Sequence, residues 1–198
     1  MPMNPFLAPR QQENLVLASR SPRRVEILLG LGFTFDIDPA PEHLEDGVDH
    51  SDPFALPAIL ADRKCAHVST RRPHDVVIAA DTLVIVDGDV LSKPRDDDEA
   101  RAFLSRLAGR SHTVVTGVAI RGAARGLALF GSERTEVTFR ALSADDVARY
   151  VATGEGRDKA GSYAAQGVGA GLIRSIDGCF FNVVGLPVGL FLDLMQKV

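Results

Sequence analysis

Leu15-Val16-Leu17-Ala18-Ser19-Arg20-Ser21-Pro22-Arg23-Arg24 carries the chain from a short apolar strand, through a turn, into a helix. Leu15 to Leu17 can pair as a buried strand. Ser21 suits the N-cap, and Pro22 suits the first helical position, where a missing N–H costs nothing. Arg23 and Arg24 then fall in the first turn, against the helix dipole, which favours negative charge there. Two cations beside the N–H groups of a helix start make a place for an anion such as phosphate. The same residues also fit an exposed basic turn neutralised by nearby carboxylates.

The second informative stretch is Val76-Val77-Ile78-Ala79-Ala80-Asp81-Thr82-Leu83-Val84-Ile85-Val86. It reads as a long strand buried on both faces. Asp81 interrupts it. An ionised carboxylate in such a strand is expensive unless it meets a cation or a metal, or opens into a cleft. Asp87-Gly88 reads as a hairpin turn, returning through Val90 to Pro94. Such a hairpin would bring Lys93 back near the level of Asp81.

Around these two stretches the chain reads as follows. Residues 1–13 lack an apolar run and are expected as a loose N-terminal arm rather than a signal peptide. Val25, Leu28 and Leu29 follow at helical spacing, and Gly30 and Gly32 stop that helix. Phe33 to Ile37 reads as a strand, and Asp38 to Gly47 as an acidic, proline-broken loop containing Glu42, Glu45 and Asp46. Phe54 to Val68 reads as an amphipathic helix, with Leu56, Ile59, Leu60 and Ala66 toward the core and Lys64 also on it. Asp96 to Glu99 caps a helix to about Leu107, and the dipole accounts for that acid cluster without a metal. Ser111 to Ile120 and Leu127 to Phe139 read as a long hairpin, with His112 on its surface. Ser143 caps a helix from Ala144 to Thr153. The glycine-rich segment 154–171 permits close backbone approach to a ligand, and the interleaved Tyr163 and Gln166 speak against a plain linker. Gly169 to Ile176 and Phe180 to Val184 read as strands, followed by a closing apolar helix.

Composition bounds the function. The 198 residues, 45% of them apolar, carry a net charge of −4. That charge argues against non-specific binding to nucleic acid or to an anionic membrane, and no basic stripe with interleaved aromatics is present. No apolar run reaches a membrane span. Cys65 and Cys179 lack metal-ligand spacing and read as free thiols in a reducing compartment, the cytoplasm by default. There is no Walker P-loop, no HExxH and no GxSxG elbow.

Leu17 to Arg24, Ala80-Asp81-Thr82, Lys93-Pro94-Arg95, Gly109-Arg110-Ser111-His112 and the block 158–187 resemble the Maf family in composition and order. The resemblance covers about residues 14–195. It implies an α/β Maf-like (inosine triphosphatase-like) fold: one domain over 14–198, with a mixed, curved sheet, flanking helices and a deep cleft between two lobes. The implied activity is nucleoside triphosphate pyrophosphatase, cutting between the α and β phosphates, with a divalent cation (Mg²⁺ or Mn²⁺) and a homodimer. Asp158 to Gly167 is similar to the dTTP- and UTP-preferring branch rather than the 7-methyl-GTP branch, which tends to carry Phe and an acid in place of Tyr163 and Gln166. A carboxamide offers both a donor and an acceptor to a uracil or thymine edge.

By the same resemblance, Arg23, Thr82 and Gln166 are the specificity positions. Ser19, Arg23 and Arg24 hold the triphosphate, and Lys64 and Lys93 neutralise further phosphate charge. Glu42, with Glu45 as the other choice, and Asp81 reach the metal, and Asp81 is the general base. The alternatives are a 7-methyl-GTP pyrophosphatase of the same family and a non-enzymatic nucleotide-binding regulator of septum formation.

Overall fold

A computed structural model describes residues 3–45, 47–48 and 51–198. The described chain is α/β, with one mixed sheet. β1 (Leu15–Leu17) lies parallel to both β2 (Asp36–Ile37) and β3 (Val76–Val86), with Leu17 level with Ile37 on one side and Ile78 on the other. β4 (Asp89–Leu91) returns antiparallel on β3, β5 (Ser111–Gly122) and β6 (Leu127–Phe139) follow, and β7 (Ile173–Asp177) closes antiparallel on β6. The strand order is β2-β1-β3-β5-β6-β7, with β4 paired to β3. The helices are α1 (Pro22–Gly30), α2 (Leu56–Arg71), α3 (Asp97–Leu107), α4 (Ala144–Ala152), α5 (Phe180–Val184) and α6 (Val188–Met195).

The chain divides into two compact units. The first comprises residues 1–81, 116–133 and 185–198, and the second 82–115 and 134–184. In the first, α2 covers β1 and β3 through small side chains. Ala61, Cys65 and Val68 pack on Val16, Ala18, Val77, Ala79 and Ala119. Cys65 donates from Sγ to the Val77 carbonyl (3.0 Å), and burial pushes its thiol up to about 12, which makes it unreactive. In the second, Leu104 and Leu107 of α3, Val147, Tyr150 and Val151 of α4, and Phe139 and Tyr163 form the core. Asp96 caps α3 by accepting from the Glu99 N–H, and Ser143 forms a capping box with Asp146 at α4.

Several expectations give way to tertiary contacts. The N-terminal arm is anchored rather than loose: the Asn4 amide donates to the Leu31 carbonyl (2.9 Å), and Gln11 Nε2 donates to the Met195 (3.1 Å) and Gln196 (2.9 Å) carbonyls beside the closing helix. Phe33 is not in a strand; it is buried edge-on to Phe191, with ring centroids 5.4 Å apart. Ile59, expected in the core, is exposed at 44%. Gly167–Leu172 is a 3-10 helix, and Phe180–Val184 is a helix instead of a strand. Short apolar runs carry no periodicity that separates the two states.

Candidate active site

The parallel pairing ends β1 level with Ile78, at the carboxyl edge of the short strand, while β3 runs on to Val86. The Ala18 N–H donates to the Ile78 carbonyl (2.8 Å), and the two chains then diverge. In open α/β sheets this edge is where ligands gather. Ser19 leaves β1 there and is buried. Its Oγ accepts from Arg24 Nη1 (3.0 Å) and from the Ser21 N–H (3.2 Å). Arg24 Nε donates to the Gly185 carbonyl (2.8 Å), so one guanidinium fastens the turn to the segment entering α6. Ser21 stands at the N-cap with extended backbone and Pro22 opens the helix, as expected, yet the Ser21 side chain makes no capping bond. Ser21 thus supplies no side-chain acceptor to the first turn. Arg23 is half-buried in the same first turn.

Asp81 lies on β3, three residues beyond Ile78. It is 8% exposed, whereas Thr82 and Leu83, which follow it, are half-exposed, so the strand is less covered just after the acid. Lys64 Nζ donates to Asp81 Oδ1 at 2.5 Å, and the two side chains are 13% and 12% exposed. Small residues around Lys64 explain the reach. Ala61 and Cys65 on α2 and Ala79 on β3 let helix and strand approach closely. Nothing local in the sequence marked Lys64; the partner is supplied by tertiary structure.

Thr82, Lys93 and Gln166 belong to the second unit. The β3–β4 hairpin forms as expected, with Asp87 and Gly88 at φ 54 and 84 and Val84 level with Leu91. Lys93 lies two residues past the last paired residue of β4 and is exposed. Gln166 is exposed, following buried Ala165 and preceding exposed Gly167, and its carboxamide makes no hydrogen bond to the described residues. Glu42 and Glu45 stand in a short 3-10 turn, but their side chains lie outside the described residues, as does Asp46.

Two features escaped the sequence reading. His112 is not a strand-surface residue. It is 2% exposed, its Nε2 shares a 2.8 Å hydrogen bond with the Tyr163 hydroxyl, and its Nδ1 has no partner among the described residues. Burial lowers its pKa to about 4, so the ring is neutral at pH 7. Tyr163 is thereby a core residue, packed edge-on to His112 and Phe139. The second feature is Glu155, which accepts from the Tyr150 hydroxyl (3.0 Å) and from the Val168 (3.0 Å) and Gly169 (2.7 Å) N–H groups.

A family model described as Maf-like protein matches residues 14–198. The chain is 45% identical over 190 residues to the dTTP/UTP pyrophosphatase of Pelotomaculum thermopropionicum, covering 93% of this chain and 96% of that one. It is 49% identical over 186 residues to the dTTP/UTP pyrophosphatase of Symbiobacterium thermophilum, covering 93% and 94%. Among solved structures it is similar to a nucleoside-triphosphatase/dITP/XTP pyrophosphatase from Mycobacterium abscessus, at 17% identity and a TM-score of 0.42, over 65% of this chain and 75% of that one. With a family match spanning all but the first thirteen residues, the chain belongs to the Maf-like proteins.

Proposed function

We propose that the protein is a nucleoside triphosphate pyrophosphatase that hydrolyses dTTP and UTP to the monophosphate and pyrophosphate. The observation that carries this reading is the Lys64–Asp81 pair in the middle of β3, three residues beyond the level at which the parallel neighbour β1 ends and leads into the Ser19–Arg24 turn. The names of the relatives at 45% and 49% identity support the same activity and substrates.

In this mechanism Arg23 and the start of α1 bind the polyphosphate, with Arg24 and Ser19 holding the turn in shape. By the family resemblance alone, Lys93 adds cationic charge to the phosphates, and Thr82 and Gln166 address the nucleoside. Asp81 accepts a proton from water as the oxygen attacks the α-phosphorus. The bond from that phosphorus to the oxygen bridging to the β-phosphate breaks, and pyrophosphate leaves with the bridging oxygen. Lys64 balances the carboxylate charge before the proton arrives. Positioning and charge stabilisation supply most of the rate, as in phosphoryl chemistry generally.

The residues present fit a hard divalent cation. Mg²⁺ commonly takes only one or two carboxylates, with substrate phosphate oxygens and water completing its shell. Asp81 offers one such carboxylate, and Glu42 is assigned as the second by family resemblance. Among the described residues no group of three or more His, Cys, Asp or Glu side chains gathers into a closed metal cage. When bound, Mg²⁺ or Mn²⁺ would neutralise phosphate charge and polarise the phosphoryl group. The reading also includes a homodimer, checked by sedimentation equilibrium, and a cytoplasmic setting, in which Cys65 and Cys179 stay reduced. No described helix is long and apolar enough to cross a membrane.

The test is pyrophosphate release across the common nucleotides and 7-methyl-GTP, with Mg²⁺, with Mn²⁺ and with chelator, for the parent chain and Gln166→Glu. Preferential turnover of dTTP and UTP, lost in the variant, is the expected result. Preference for 7-methyl-GTP would reassign the substrate, and no turnover of any nucleotide would leave a nucleotide-binding regulator.

A further inference from the structure

The loop that carries Gln166 is fastened from one side by a single carboxylate and a single phenol. Glu155 Oε1 accepts from the Val168 N–H (3.0 Å), and Oε2 accepts from the Gly169 N–H (2.7 Å) and the Tyr150 hydroxyl (3.0 Å). The Tyr150 oxygen in turn accepts from the Ala164 N–H (3.1 Å). Residues 164 and 168–169 are thus pinned to one two-residue anchor, and Ala165-Gln166-Gly167 spans the gap between the pins. Tyr150 is 5% exposed on α4, so the anchor is set in the core of the second unit. The Glu155 carbonyl also accepts from Lys159 Nζ, which fixes the carboxylate's own backbone.

The glycines of this loop are sized to the anchor. A Cβ on Gly167, at φ +66, would stand 2.2 Å from Glu155 Oε1. One on Gly169 would stand 2.3 Å from the Ala164 carbonyl oxygen and 2.7 Å from the Tyr150 hydroxyl. Neither position admits a side chain while the carboxylate keeps its three donors. The backbone on both sides of Gln166 is therefore over-determined, while the Gln166 side chain projects outward.

A rigid backbone is what base discrimination by a carboxamide requires. An amide can turn over and offer its donor and acceptor in either order, so it can serve a uracil or a cytosine edge. Selectivity then depends on where the amide stands against the ring, which the loop backbone sets. We propose that Glu155, acting with Tyr150, is a positioning residue for nucleobase selection by Gln166. The proposal rests on the nucleotide pyrophosphatase reading above. Glu155 touches neither the triphosphate grip nor the reacting water in this scheme, so its loss falls on base recognition and leaves the phosphate end intact.

The experiment compares the parent chain with Glu155→Ala, Glu155→Gln and Tyr150→Phe, each first checked for a cooperative thermal transition. Three quantities are read: kcat and KM for UTP, CTP and ATP; UTP affinity by calorimetry; and inhibition by inorganic tripolyphosphate, which has no base. For Glu155→Ala the UTP KM and Kd rise by about tenfold, the preference for UTP over CTP and ATP falls by a similar factor, and the tripolyphosphate inhibition constant stays within about twofold. Glu155→Gln, which keeps one acceptor oxygen, and Tyr150→Phe, which frees Ala164 and removes one of the three donors to Glu155, fall between. Unchanged selectivity in all three variants overturns the proposal, as does a loss of UTP and tripolyphosphate binding in equal measure. Should Glu155→Ala not fold, the milder two variants decide. If the parent binds UTP without turnover, the pyrophosphatase reading fails alone and calorimetry still judges Glu155. If the parent neither binds nor cleaves any nucleotide, both readings fall.

Discussion

Lys64 Nζ lies 2.5 Å from Asp81 Oδ1, joining the middle of α2 to the middle of β3 with both side chains almost out of water. A buried ion pair of this kind is weak evidence of stabilisation, because desolvation opposes the attraction. Removing one partner is costly all the same, since the other charge is left uncompensated.

Asp81→Asn keeps the shape of the side chain and a carbonyl acceptor for Lys64 but cannot take a proton. Pyrophosphate release should fall by about 10²–10⁴-fold, the range of general acid–base contributions. The fold should survive with a loss of about 1–3 kcal/mol. Stopped assays and urea unfolding of the same preparation separate the two effects. Turnover at the parental rate would remove Asp81 as the base.

Arg24 holds Ser19 Oγ and the Gly185 carbonyl with different nitrogens of one planar group. A lysine cannot span both acceptors in that geometry. Arg24→Lys should lose at least one charge-assisted bond, about 1.5–3 kcal/mol, and lower the melting temperature by about 3–12 °C in a chain of this size. The UTP KM should rise with it, because the Ser19 turn loosens. Calorimetric melts alongside initial rates check both.

His112 should impose a pH dependence on stability. Its folded pKa is lowered by burial to about 4, below the 6.5 of an exposed imidazole. Between those values the unfolded chain binds the proton and the folded chain does not. Stability is therefore full above about pH 6.5 and declines as pH falls toward about 4, by up to about 3 kcal/mol from this group. His112→Gln, which retains a polar group near the Tyr163 hydroxyl, should flatten that part of the profile. Urea midpoints at pH 7 and pH 5 for both chains measure it.

Gly117 on β5 is where the start of α2 comes closest. A Cβ there would stand 2.2 Å from the Pro57 carbonyl carbon and oxygen and 2.3 Å from the Ala58 nitrogen. These are backbone atoms and cannot turn aside. Gly117→Ala should cost about 3 kcal/mol or more, and because α2 carries Lys64, activity should fall as well. The Lys64–Asp81 spacing in a structure of the variant would report the shift directly.

Local chemistry determined much of this protein from the chain itself. The Ser21-Pro22 helix start, the Asp87-Gly88 hairpin, and the Asp96 and Ser143 caps each depend on dihedrals and hydrogen bonds among residues close in sequence, and each formed where the residues called for it. Asp81 was legible because a carboxylate in an apolar strand is anomalous wherever the strand goes. Tertiary structure alone decided what such groups meet. Lys64 became the partner of Asp81 through the packing of small residues between α2 and β3, His112 was buried by Phe139 and Tyr163, and Asn4 and Gln11 were anchored by distant carbonyls. Each of these outcomes joins residues far apart in the chain, so no local pattern encodes it. The helix at Phe180–Val184 and the exposed Ile59 follow the same rule, because a short apolar run takes its state, and a helix its buried face, from whatever packs against it.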